Sequence, residues 1–512
     1  LDRSLHFILM STRDGAVKEE TTKTEQSKTE PTKTEVSKAS TPKDDEKDDV
    51  SAKDSSIPFL PEESLKKVFL QSLFPFLLGG VSSIGTGQVL HYAQSSQSYV
   101  EIPEFMEVTP ALAGLKGNIE CILASKLSTL AHQGVLSEKK SRNAMIIASI
   151  GLQQFQVVIM TFLASIVSLI SPVVNHSNCQ LQSKPILFLF TVSFMSITSS
   201  SFIIAALLIA LILGARKYDV NPDNITTPIA SSLSDLLAIA AMLFFAWLLH
   251  DSILAKNWYI GVIILSAMVL ALPFWVWLLN RRDETINVAK SGWITLIVSC
   301  ALSSLAGQIL TKAISKYPDI SIFAPILMGI SGNRTAMQSS RICTQLHTSS
   351  NRPGYLPDER KLVRYLSPYR AFCSNEDDAR GARLLLLTAP PFQIVFILIA
   401  YGIAYFTDPS ENKIPLHVGF FFAYILTAMI HMSILLYLSQ MCVHAMWSYK
   451  LDPDFHAIPF LAGMGDLLGT AFIYGLFAVL ASVQTYDGEI IQVVKNATEN
   501  IDPTRSAICH PT

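Results

Sequence analysis

The chain has 512 residues, of which 50% are hydrophobic and only 16% charged, with a formal net charge of −2. Soluble proteins carry about 25% charged residues, so an ordinary soluble protein is excluded. Without a basic excess there is nothing to neutralise nucleic-acid phosphates, and no nucleic-acid partner is expected. A polytopic membrane protein remains.

Charge is concentrated at the start. Residues 1–65 hold 10 Lys/Arg and 15 Asp/Glu, including a five-residue repeat that begins at Lys23, Lys28 and Lys33. So polar a stretch cannot bury enough apolar surface to offset the entropy of ordering, which predicts a disordered, charged cytoplasmic tail. The seven cysteines are scattered without any CxxC, so no disulfide framework or zinc-ligand spacing is read from them.

Beyond residue 65 the chain is a series of apolar runs long enough to cross a bilayer as helices. Eleven are predicted, over 67–93, 109–131, 143–170, 185–214, 228–249, 258–279, 292–311, 321–347, 384–406, 416–447 and 457–482. The second and eighth are the least apolar, because they contain Gly pairs, Asn and basic residues. With the N-terminus placed inside, the inner loops hold 16 Lys/Arg and the outer loops and C-terminal tail seven. That bias predicts a cytoplasmic N-terminus and an extracellular C-terminal tail over 484–512. The partner is then a lipid bilayer, with the plasma membrane as the expected location.

Compared with itself, the chain contains a repeat. Residues 109–132 and 324–347 share Pro, two Gly, Asn, Ser, Thr and His at a constant offset of 215. Downstream, Asn221-Pro-Asp-Asn, Pro228 and Ser234-Asp235-Leu-Leu match Asp452-Pro-Asp-Phe, Pro459 and Gly465-Asp466-Leu-Leu at an offset of 231. Gly87-Gln-Val-Leu echoes Gly307-Gln-Ile-Leu. Two five-helix copies follow, 66–250 and 291–483, joined by a linking helix within 251–290. Five is an odd number, so the extra helix restores the orientation of the second copy. The two become parallel repeats about an axis along the membrane normal, a fused pseudo-dimer in which equivalent residues face each other.

Asp235 and Asp466 are the first candidates for chemistry. Each lies seven residues after a proline that can open a helix. An aspartate at the centre of a spanning helix costs about 2.5–3.5 kcal/mol on insertion scales, so it faces a cavity, a partner or a cation. Asn118 and Asn333 follow, in the matched Gly-x-x-Gly-Asn elements at Gly114, Gly117 and at Gly329, Gly332. Two symmetric aspartates with neutral amide oxygens suit a hard, largely hydrated Mg²⁺; an aspartate and an asparagine bonded across helix pairs are the structural alternatives. Glu101, Glu104 and Glu107 read as a solvated loop or an acidic vestibule, and Asp223 and Asp454 as helix caps or inner-mouth residues. His132 and His347 read as interfacial, and Lys126 and Arg341 as snorkelling to the inner interface. HExxH, GxSxG and P-loop signatures are absent, no inner loop has room for a nucleotide domain, and neither an enzyme nor an organic cofactor is expected.

At these motifs the chain resembles solute carrier family 41, the eukaryotic relatives of bacterial MgtE-type magnesium channels. The resemblance is carried by Pro110-Ala-Leu-Ala-Gly-Leu-Lys-Gly-Asn118, Leu127-Ser-Thr129, Asn221-Pro-Asp-Asn224, Ser339-Ser-Arg-Ile342 and Ile458-Pro with Gly465-Asp466. It implies an all-α polytopic fold of two MgtE-like halves and transport of divalent cations, chiefly Mg²⁺. By that likeness Asp235 and Asp466 match the pore aspartate, and Asn118 and Asn333 the asparagine of the pore-lining second helix. Na⁺- or H⁺-coupled exchange, with Na⁺ as counter-ion, and a non-transporting membrane scaffold or regulatory subunit are the alternatives. The chain departs from the family at Arg334, a cation beside Asn333 that would weaken cation binding if it faced the path, and at Cys343, which stands where the first copy has Ser128. The tail is too short for the cytosolic sensor domains of bacterial MgtE.

Overall fold

The computed structural model describes residues 65–484 and 508–511, less 133–135, 137, 176–178, 219–220, 223–224, 283–284, 287–288, 291, 349–353, 355–364 and 408–417. The charged tail and most of the C-terminal tail therefore lie outside the described residues, as does Asp223.

In chain order the helices are α1 (Leu65–Gln94), α2 (Gln97–Glu101), α3 (Glu104–His132), α4 (Lys139–Asn175), α5 (Ser183–Lys217), α6 (Thr226–His250) and α7 (Trp258–Leu279). They continue as α8 (Trp293–Lys316), α9 (Ile320–Thr348), α10 (Pro368–Cys373), α11 (Asp377–Leu387), α12 (Ala389–Thr407), α13 (Val418–Ser448) and α14 (Pro453–Gln484). A π-helical turn, Asp251–Lys256, joins α6 to α7. The ninth expected segment is two helices, α11 and α12, broken at Thr388. Pro390 and Pro391 follow that break, and neither can donate the backbone hydrogen bond that would carry one helix through. The helical reading missed two three-residue strands, β1 (Cys179–Leu181) and β2 (Cys509–Pro511), which pair antiparallel and tie the end of the chain to the α4–α5 connection.

Among the described residues, nine helices are long and apolar enough to cross a membrane. The two other long helices, α3 and α9, are the two least apolar runs of the sequence. Each has 29 residues, and most of the described residues on them are buried. A helix enclosed by other helices needs no lipid-facing apolar surface, so its low hydropathy follows from its place in the bundle. The linking helix α7 is the opposite case. Its spanning window is only 11% buried, and it packs at the periphery against α4 and α5.

The interior is built from two sets of helices, α1, α3 and α6, and α8, α9 and α14. Within the sets, α1 and α3 pack on α6, while α8 and α9 pack on α14. Between them, α1 packs on α9 and α8 on α3. Glycine makes both crossings possible. A Cβ at Gly307 would lie 2.6 Å from the Glu107 carbonyl oxygen, and one at Gly87 would collide with the carbonyl oxygen of Ile322. Glu107 and Ile322 are themselves 215 residues apart. Further along, Ser125 and Ser340 face each other at 3.2 Å, and Thr129 and Thr344 at 3.5 Å, each pair again 215 residues apart.

Side chains at these crossings should separate the helices. Gly87→Val and Gly307→Val are each expected to destabilise the fold by roughly 1–3 kcal/mol, the usual cost of overpacking. Gly475→Ala, where an added Cβ meets nothing within 4 Å, is expected to leave stability unchanged. Thermal unfolding of the purified variants in detergent measures the difference.

Candidate functional site

Proline sets up both aspartate helices. Asp452 precedes Pro453, the first residue of α14, and accepts the backbone N–H of Asp454 at 3.1 Å, so it is Asp452 that caps this helix. Further along α14, Asp466 meets Asp235 of α6 on the wall of one cavity, which is lined by α1, α3, α6, α8, α9 and α14. The floor between the two carboxylates is the Gly-x-x-Gly of α3. A Cβ at Gly117 would stand 3.2 Å from Asp235 Oδ1, and one at Gly114 would strike Asp466 Oδ2. Glycine is required there for the carboxylates to reach the helix backbone. Ser303 of α8 donates to Asp466 at 3.2 Å.

Asn118 lines the same cavity and donates its amide to Ser299 of α8. Asn333 does not line it. Asn333 is 1% exposed, and its side-chain carbonyl oxygen is buried without a hydrogen-bond partner. Three of the four residues singled out in the sequence are thus gathered at one cavity, and the fourth stands apart. Its glycines do reach the cavity wall, since Gly329 and Gly332 both line it.

Arg334, the cation that seemed misplaced beside Asn333, points elsewhere. Its guanidinium lies 4.4 Å from the ring of Phe76 and 5.0 Å from that of Phe392, and donates to the Ile330 carbonyl at 3.2 Å. It is buried against aromatic faces of α1 and α12, where a desolvated cation–π contact is worth up to about 2 kcal/mol.

Two groups were missed in the sequence. The first is an ion pair on α3, Lys116 with Glu120 at 2.8 Å, both fully buried. Lys116 also donates to the hydroxyl of Ser234 at 2.9 Å and to its carbonyl at 3.3 Å. The signal was present, because opposite charges four residues apart inside an apolar helix are as costly as a central aspartate. The second closes the bundle where α3 and α9 end. There His347 lies 3.1 Å from Asp452 and 3.6 Å from Asp454, and Lys126 lies 3.3 Å from Asp452. Asp454, read as a helix cap or an inner-mouth residue, is fully buried and accepts from Ser125 at 2.6 Å and Thr129 at 3.3 Å, so of the two readings it is the cap that it does not fill.

Burial works against ionisation of Asp452, but the His347 hydrogen bond and the Lys126 charge hold its carboxyl well below the usual range, at about 2. It is therefore charged at neutral pH. The ligand atoms of His347, Asp452 and Asp454 lie within 4.8 Å of one another, with Lys126 already beside them. Only the three-dimensional crossing of α3, α9 and α14 brings these groups together. At the opposite end, Glu104 is buried, while Glu101 is exposed and also reaches a histidine. Glu101 lies 2.9 Å from His250, and Glu104 accepts the backbone N–H of buried Ile508 at 3.4 Å.

The divalent cation transporter family MgtE matches this chain twice, over residues 109–245 and 324–476. The first match holds Asn118 and Asp235, the second Asn333 and Asp466. Solute carrier family 41 member 3 of Mus musculus is 33% identical over 455 residues, 87% of this chain and 90% of that protein. Member 2 of Mus musculus is 32% identical over 449 residues, 87% of this chain and 76% of its own length. Member 2 of Homo sapiens is 32% identical over 437 residues, 85% of this chain and 74% of its own. This multi-helix chain belongs to solute carrier family 41, within the MgtE group of divalent cation transporters.

Proposed function

We propose that the protein moves Mg²⁺ across the membrane, with Asp235 and Asp466 holding the ion on its way through. The observation that carries this reading is the convergence of two carboxylates from matched helices on one glycine-floored cavity. Mg²⁺ sheds its water reluctantly and is commonly held by one or two carboxylates with several waters retained. A roomy cavity with a carboxylate on either side, hydroxyls such as Ser303 and the amide of Asn118 suits such a hydrated ion. Asn333 stands away from the cavity, and the proposal rests on the other three residues.

In this reading α3 and α9 are spanning helices as well, which makes eleven. The two copies are parallel repeats, and the path follows the axis between them. The twofold family match and the facing pairs Ser125–Ser340 and Thr129–Thr344 support that arrangement. The cluster of Lys126, His347, Asp452 and Asp454 then closes the cytoplasmic end of the path. Orientation with the N-terminus inside rests on the basic residues of the short loops.

Asp235→Asn combined with Asp466→Asn is expected to abolish Mg²⁺ flux into proteoliposomes while the gel-filtration profile and thermal unfolding are retained. Unchanged flux in that variant would sink the assignment. Arg334→Met is expected to leave the KM for Mg²⁺ within about twofold of the wild-type value, since the guanidinium turns to Phe76 and Phe392 and does not line the cavity. A large fall in that KM would place the guanidinium on the path.

A further inference from the structure

The Lys116–Glu120 pair has no place in the reading above and does not line the cavity, yet it reaches the backbone beside one of the aspartates. Lys116 donates to the hydroxyl and the carbonyl of Ser234, the residue immediately before Asp235. Glu120 lies 2.8 Å from Lys116, so both charges of the pair stand next to the residue that precedes Asp235. In the second copy the carbonyl that precedes Asp466 belongs to Gly465, and it too has an added partner, His431 Nε2 at 3.1 Å. A carbonyl only accepts, so that nitrogen carries the proton. The same backbone group beside each aspartate is thus braced, by an ammonium in one copy and by an imidazole in the other. At the 215-residue offset, Ser331 and Thr335 stand where the first copy has Lys116 and Glu120. The pair therefore belongs to one half alone, and it makes the two aspartates electrically unequal.

We infer that Lys116 and Glu120 tune the charge of the cation site, Lys116 positioning Asp235 through Ser234 and Glu120 cancelling the charge that Lys116 brings. With the pair intact, the cavity presents the two negative charges of Asp235 and Asp466, which one divalent ion neutralises. Lys116 without Glu120 lowers that to one, and Glu120 without Lys116 raises it to three. Neither residue touches the ion; both act through the field at the aspartates, which is strong because little water screens it. The inference rests on the reading of Asp235 and Asp466 as the cation site.

The test compares the KM for Mg²⁺ in proteoliposome flux across single variants. Glu120→Gln removes a negative charge and is expected to raise KM by about tenfold, while Lys116→Met removes a positive charge and is expected to lower it by about as much. The combination K116M/E120Q is expected to return KM towards the wild-type value, and Lys116→Arg, which keeps the charge, to stay close to it. A purely structural ion pair would instead lower the amount of folded protein in both single variants and leave KM unmoved. Should K116M not accumulate as folded protein, Lys116→Gln, which keeps a donor for Ser234, takes its place. Shifts of opposite sign support the inference; shifts of the same sign, or none, overturn it. Flux that survives D235N/D466N overturns the underlying cation site as well, so the two failures are distinguishable.

Discussion

Charge inside an apolar bundle must be answered locally, because water is not there to do it. Transfer of an unpaired ion into such surroundings costs several kcal/mol even after relaxation. Among the described residues, Lys116, Glu120, Arg334 and Asp454 each meet that demand in their own way. Lys116 and Glu120 answer each other at 2.8 Å, and Arg334 lies against two aromatic faces. Asp454 collects two hydroxyls and a histidine. Asp466 has one hydroxyl at 3.2 Å and otherwise an open cavity, which it shares with Asp235. Both line that cavity, and in the proposed function a cation entering it balances their charge.

Close approach of backbones is what lets the carboxylates share a cavity at all. Gly87 and Gly307 bring the first helix of each copy onto the second helix of the other, and Gly114 and Gly117 clear a floor for both aspartates. Larger side chains at these places would hold the helices apart by more than the reach of an aspartate. The exchange of helices between copies also means that neither half can complete the cavity alone, since α3 of one copy supplies the floor for Asp466 of the other.

In the proposed arrangement of two repeats, the matched halves differ around a common frame. Brackets of the same shape, a donor to the carbonyl before each aspartate, are filled by Lys116 in one half and His431 in the other. Fusion into one chain makes this possible, because the halves are free to change separately. A symmetric homodimer would have to carry any added charge twice.

The sequence by itself determined the order of the long apolar segments, the internal match between its two halves, and the two aspartates most worth attention. Each is a local property: hydropathy, a spacing, or a charge where charge is expensive. Lys116 and Glu120 were legible by the same rule as Asp235, but their neighbours drew notice for glycine and asparagine instead. What only the tertiary structure decided is which groups meet. Asn118 and Asn333 are equivalent by position, yet one lines the cavity and the other does not, and Arg334 beside Asn333 turns to Phe76, more than 250 residues away in the chain. Residues Lys126, His347 and Asp452 join at one end of the bundle from three helices or their connections. The direction a side chain takes from a helix buried on every side depends on what surrounds it, and spacing along one chain does not carry that information.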